Sequence, residues 1–188
     1  MKQAASSPIL QNLKLNPAAL ETYEVSGKLL ALKELFNEMG FEDAENSQPL
    51  DYSNNYNKIL LFSRYKETLD IINRYFVQKL FPGLKYLRID GSVTPAKRFE
   101  MVKKFNQDNN IKLLLLTTSV GGVGLNLHTA NVVVMFDHDY NPMNDLQAID
   151  RAHRIGQKNV LNVYRLIVKD TLEEQIMGYL NNFLKGTF

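Results

Sequence analysis

The stretch "IKLLLLTTSVGGVGLNLHTANVVVMF", residues 111–136, decides the fold. Two apolar runs flank a glycine-rich turn, and each run has the length of a strand, far short of a membrane span. Neither run alternates with polar residues. Each therefore reads as a strand buried on both faces, the pattern of a parallel sheet covered by helices on either side. Working outward, "KILLF" from Lys58 precedes a helical stretch from Glu67 to Leu80, and "YLRI" precedes a helix over Pro95–Phe105. "VVVMF" leads to a helix predicted over Pro142–Arg154, and "NVYRLIV" to a last helix from Thr171. Five apolar runs alternating with helices predict βαβ units and an α/β fold, a parallel sheet between two helical layers.

Ahead of the sheet, "SGKLLALKELFNEMG" places apolar residues at Leu29, Leu32, Leu35, Phe36 and Met39. Ser26 is positioned to cap this amphipathic helix and Gly40 to stop it. Residues 1–25, broken by Pro8 and Pro17, read as a flexible lead-in. Residues 41–57, acidic and rich in Asn and Ser, read as an exposed loop. The main domain is expected over residues 26–177, with residues 178–188 as a C-terminal extension.

With 188 residues, 45% hydrophobic and 22% charged, the chain is long enough for one well-buried globular domain. A formal net charge of +2 supplies no strong field, so contact with a polyanion must come from a local patch. The absence of cysteine excludes a disulfide framework, a thiolate metal site and a thiol nucleophile. The first residues lack the apolar core of a signal peptide, and a soluble, intracellular chain without membrane contact is expected.

In such a sheet the ligand crevice is formed by loops leaving the carboxyl ends of the strands. Here those loops are "SRYK", "DGSVTP", "TSVGGVGLN" and "DHDYNP". In the third, Gly121, Gly122 and Gly124 permit close backbone approach, and Thr117, Thr118 and Ser119 offer hydroxyls to phosphate oxygens. Such a turn can also simply reverse the chain, and it has neither the P-loop ending nor the dinucleotide spacing. Arg88, Gly91 and Ser92 lie in "RIDGSV", where Ser92 or Thr94 is expected to cap the next helix. Ser63, Arg64 and Lys66 stand at another strand end, either gripping phosphates or as plain surface charge. His138 lies between two Asp, but alternation and the lack of a complementary cluster point to hydrogen bonding, so no metal ion is expected on this chain alone. Glu173 and Glu174 fit the first turn of a helix, where acids suit the dipole.

"AIDRAHRIGQ", residues 148–157, sets Arg151 and Arg154 one predicted helical turn apart, hence on one face. Two readings stand: a solvated basic face beside Asp145 or Asp150, or a clamp for a polyanion such as nucleotide phosphates.

The order of "SGKLLALKEL", "ILLFSRY", "YLRIDGSV", "LLLLTTSVGGVGLNL", "DHDYNPMNDLQAIDRAHRIGQ" and "VYRLIVKDTLEEQI" resembles the second, RecA-like motor lobe of Swi/Snf-type ATPases. These are DNA translocases of helicase superfamily two, and the resemblance spans residues 26 to 177. The wording is similar to the subfamily that strips TATA-binding protein from promoter DNA, with Met143 after "NP" and the "IMG" ending as discriminating details. The resemblance implies that Arg151 and Arg154 are arginine fingers reaching ATP on the first lobe. It also implies that Gly122, Gly124 and Gln157 link the nucleotide to the position of the lobe, with Asp150 orienting the arginines. Ser63, Arg64, Arg88, Gly91, Ser92, Thr118 and Ser119 become candidates for gripping phosphates of double-stranded DNA. Two positions depart from the family wording: Arg64 stands where Gln is common, and Tyr140 where Trp is usual.

No G-x-x-x-x-G-K-[ST] motif and no Asp-Glu magnesium box occur in the sequence. ATP with Mg2+ is therefore expected mainly on the first lobe, outside this chain, and the isolated lobe is expected to be inactive. The rival readings are the same lobe of a nucleosome remodeller and a non-catalytic docking module that keeps the fold. The intact "RAHRIGQ" argues against the docking module. Location in the nucleus follows from the resemblance alone.

Overall fold

The computed structural model describes residues 26–43, 52, 55–121, 124–154, 156–157 and 159–184. The expected lead-in over residues 1–25 lies outside them, as do Gly122, much of the 41–57 loop and the last four residues of the expected extension.

In chain order the elements are α1 (Gly27–Glu38), β1 (Ile59–Ser63), α2 (Lys66–Ile71), a π-helical stretch (Ile72–Val77) and α3 (Gln78–Leu80). Then follow β2 (Lys85–Ile89), α4 (Pro95–Gln107), β3 (Ile111–Thr117), the single turn α5 (Thr118–Gly121) and β4 (Val132–Met135). Helix α6 (Pro142–Ile149), β5 (Asn162–Arg165) and α7 (Leu172–Leu184) complete the described chain. The five strands form one sheet in the order β2-β3-β1-β4-β5, every pair parallel. The expected α/β architecture holds.

Alternation along the strands sorts the core into two layers. Ile59, Leu61, Leu113, Leu115, Val132 and Val134 face α1 and the α2–π segment, packing on Leu32, Phe36, Leu69 and Phe76. Leu60, Phe62, Leu114, Leu116, Val133 and Met135 face the other way, onto Val102 and Phe105 of α4 and Ala148 and Ile149 of α6. The chain therefore leaves β1 toward one layer and leaves both of its neighbours, β3 and β4, toward the other. Such a switch opens a crevice at the carboxyl end of the strand where it occurs.

Ser26 caps α1 by accepting from Leu29 N at 3.4 Å, and Asn141 caps α6 by accepting from Met143 N at 3.1 Å. Three expectations need correction. First, α6 ends at Ile149 and not at Arg154. Arg151 N and Ala152 N bond three residues back, to Ala148 O and Ile149 O, while Arg151 O accepts from Leu127 N at 3.0 Å. The carbonyl of Arg151 is thus given to another segment and the helix closes in a tight turn. Second, no side chain caps α4: Thr94 holds the cap position without a bond, and the Ser92 hydroxyl turns to Asp90. Third, the 41–57 loop is not exposed throughout. Phe41, Asp43, Tyr52 and Asn57 are buried, because Tyr52 stacks on Phe41 at 5.4 Å and donates to Glu42 O at 2.5 Å.

Candidate functional site

Strand register brings the chemically loaded loops to one edge of the sheet. Ser63 pairs with Thr117, Ile89 with Leu116, Phe62 with Met135 and Met135 with Arg165. The residues just beyond these positions form the crevice.

Beneath its floor lies a buried polar network. The Ser63 hydroxyl donates to Asp137 Oδ2 at 2.6 Å. The other oxygen of Asp137 is 3.7 Å from the Lys28 ammonium. Lys28 donates to Phe136 O at 2.7 Å and pairs with Glu173, whose second oxygen accepts from Val168 N at 3.0 Å. Lys28 and Asp137 are only 5% and 3% exposed. Burial pushes the Asp137 carboxyl above its usual range, against the pull of Lys28 and the Ser63 hydrogen bond. Sequence reading missed this hub, although Lys28 continues the apolar spacing of Leu32 and Leu35, a signal that its stem and head turn inward. Beside it, His138 sits between Asp145 Oδ2 and Leu166 O, both at 3.2 Å. The hydrogen-bonding role expected for His138 is the one it has. Among the described residues no group of three or more His, Cys, Asp or Glu is placed to hold a metal ion.

Of the strand-end candidates, Ser63 is buried with its proton committed to Asp137. Arg88 is likewise engaged: Nη1 pairs with Asp70 at 2.5 Å, while Nε and Nη2 reach Asp90 Oδ2 at 3.1 and 3.0 Å. Ser92 gives both its amide and its hydroxyl to Asp90 Oδ1, at 2.9 and 2.6 Å. Burial would raise the Asp90 carboxyl, but these bonds from Ser92 and Arg88 outweigh it and hold Asp90 below the usual range. Gly91, at the tip of that turn, is exposed.

Arg64 differs. It makes no hydrogen bond among the described residues; its guanidinium lies 4.5 Å from the Tyr140 ring centroid and 5.3 Å from that of Tyr65. At the end of β3, Thr118 is buried with a hydroxyl that has no partner among the described residues, and exposed Ser119 donates weakly to Thr117 Oγ1 at 3.4 Å.

The arginine turn is anchored from below. Ala152, between the two arginines, is fully buried in the second core layer. Gln157 Nε2 donates to Ala130 O at 2.5 Å, and Gly156 adopts a φ of 107°, where a Cβ would stand 3.5 Å from the His128 ring. Arg151 is half-buried and Arg154 exposed. Gly124 is exposed with a φ of 54°, a conformation that favours glycine. Asp150, exposed at the end of α6, forms no ion pair among the described residues. No helix among them is long and apolar enough to cross a membrane.

Residues 42–156 match the family model described as the helicase conserved C-terminal domain. Over 159 residues the chain is 49% identical to the TATA-binding protein-associated factor BTAF1 of Arabidopsis thaliana, covering 85% of this chain and 8% of that protein. It is 47% identical over 169 residues to human TATA-binding protein-associated factor 172, covering 89% of this chain and 9% of that protein. The chain thus spans under a tenth of the length of these relatives. The crystal structure of the C-terminal part of the Fun30 ATPase domain matches with a TM-score of 0.70 at 36% identity, over 83% of this chain and 46% of that one.

Proposed function

Because the chain belongs to the family of helicase conserved C-terminal domains, we propose that it acts as the second motor lobe of an ATP-driven translocase on double-stranded DNA. The names of its relatives, TATA-binding protein-associated factors, support TATA-binding protein as a partner, and the family resemblance of the sequence extends the proposal to its displacement from promoter DNA in the nucleus. The observation that carries the proposal is the anchored arginine turn. Its backbone is fixed to the core through Ala152 and Gln157, while Arg154 is left exposed and without a partner among the described residues.

A basic side chain held out on a rigid turn suits a partner that arrives from outside the lobe. Arg154, with half-buried Arg151 beside it, meets the phosphates of ATP held with Mg2+ mainly by the first lobe. Its planar, permanently charged fork matches phosphate oxygens. A supplied arginine finger of this kind is worth roughly 10³–10⁵ in rate. Gly124 and Gln157 then set where the turn stands against the nucleotide. On the DNA side, Arg64 keeps its donors outside any hydrogen bond among the described residues, and Gly91 and Ser119 are exposed where phosphates would pass. Contacts of that sort carry no base information, as a motor moving along any sequence requires.

The test is ATP hydrolysis, with and without duplex DNA, by a protein carrying this chain together with the first lobe. Arg154→Ala is expected to lower turnover at least about a hundredfold, roughly 3 kcal/mol of barrier, with ATP binding retained. Normal turnover in that variant would reduce the turn to a basic face and bring a docking role forward. Adding TATA-binding protein on promoter DNA to the same assay tests the displacement step.

A further inference from the structure

The positions where the sequence departs from the family wording, 64 and 140, meet in space, and their contact has a chemical consequence. Arg64 leaves β1 and Tyr140 follows β4, the adjacent strands at which the chain turns to opposite layers. The guanidinium is 4.5 Å from the Tyr140 ring centroid and 5.3 Å from that of Tyr65. The carboxylate paired with it, Asp139, stands 4.0 Å from Nε, at the limit of an ion pair and beyond hydrogen-bond reach. Aromatic rings engage the flat face of a guanidinium and leave its in-plane N–H donors open. Those same donors take a phosphate in a bidentate fork. A long side chain in a loop loses much conformational freedom when it is fixed on a ligand, so a stack formed beforehand lowers that cost.

We propose that Tyr140 is a positioning residue for Arg64, its ring holding the guanidinium face so that the open edge meets a phosphate of the DNA backbone at the crevice between β1 and β4. The proposal rests on reading the strand-end loops as the DNA side. Arg88, near the end of β2 and separated from β1 by β3, has its nitrogens already given to Asp70 and Asp90 and has no such part.

The experiment is binding of the full 188-residue chain to a fluorescein-labelled, random-sequence duplex, followed by anisotropy across a salt series. Arg64→Ala is expected to weaken binding roughly tenfold, the loss of a charged hydrogen-bonded contact, and to reduce the salt slope by about one. Tyr140→Ala is expected to weaken it about three- to fivefold. The double variant should be no weaker than Arg64→Ala, and Tyr140→Phe, which keeps the ring face, should bind like wild type. Tyr140 is 44% exposed, so these replacements leave the core intact, which circular dichroism verifies. Multiplicative losses in the double variant, or a Phe variant as weak as Ala, overturn the positioning role while the DNA side stands. Unchanged affinity and slope in Arg64→Ala overturn it as well. No binding by wild type overturns the DNA reading and the proposal together.

Discussion

At the end of β2, Arg88 gives Nε and both terminal nitrogens to Asp70 and Asp90, whereas at the end of β1 Arg64 lies against two tyrosine rings and makes no hydrogen bond among the described residues. The aspartates that follow β2 and β4 diverge in the same way. Asp90 has four donors around it and is held below the usual carboxylate range. Asp137 has one oxygen without a hydrogen bond among the described residues, and burial pushes it up. The strand ends use the same residue types: Arg88 and Asp90 at the end of β2, Arg64 after β1 and Asp137 after β4. What separates them is whether the donors are consumed internally. A saturated arginine builds a turn; a stacked one is left for something outside.

The sharpest way to break this contrast is to remove the cation beneath Asp137. Lys28→Met leaves Asp137 and Glu173 without it, and breaking a buried pair from one side costs about 3–5 kcal/mol. Urea denaturation at pH 7 should show a loss of that order. The raised value of Asp137 means that its folded form takes up a proton more readily than its unfolded form. That preference stabilises fully below the ordinary carboxylate range and is lost as pH rises through the raised value. The deficit of Lys28→Met should therefore shrink at pH 5. A deficit independent of pH would mean that Asp137 is not the group left uncompensated.

Arg88→Ala comes next, with an expected loss of about 1 kcal/mol for a partly exposed pair. Its pH dependence runs the opposite way. Asp90 is depressed in the folded state, so its contribution is present above its unfolded value and lost as pH falls through the folded one. Melting temperatures of wild type and variant should converge in acid. DNA affinity should not change, and a drop comparable to that of Arg64→Ala would erase the distinction between the two loops. The smallest expected effect is on the loop after β4: Tyr140→Ala should leave stability within about 0.5 kcal/mol, as for an exposed side chain that holds no core contact. A larger loss in the same urea titration would place Tyr140 among the supports of the fold.

How far the sequence could be read depends on whether a feature is local. Uninterrupted apolar runs such as Leu113–Leu116 and Val132–Met135 declare buried parallel strands without help from elsewhere, and Ser26 announces its helix by capping chemistry. The end of α6 could not be read, because Ile149 is followed by residues with no helix breaker until Gly156. What stops the helix is Leu127, far off in sequence, taking the carbonyl of Arg151. The site shows the same division. The loops and the arginine turn stand out by composition and family wording, but the fate of each donor depends on neighbours such as Asp70 and Tyr140 that only the folded chain brings close.

Lys28 sits in the first described helix and Glu173 in the last, and both fall outside residues 42–156, the span that the family model matches. So do β5 and the Leu32–Phe36 face, which covers one side of the sheet together with the α2–π segment. The unit by which this lobe is recognised is therefore smaller than the unit that folds. A recombinant fragment trimmed to the recognised span would strip α1 from one apolar layer, uncover β4 as a sheet edge and strand Asp137 beneath Ser63. For anyone choosing boundaries for expression, the cut belongs before Ser26 and after the first turns of α7.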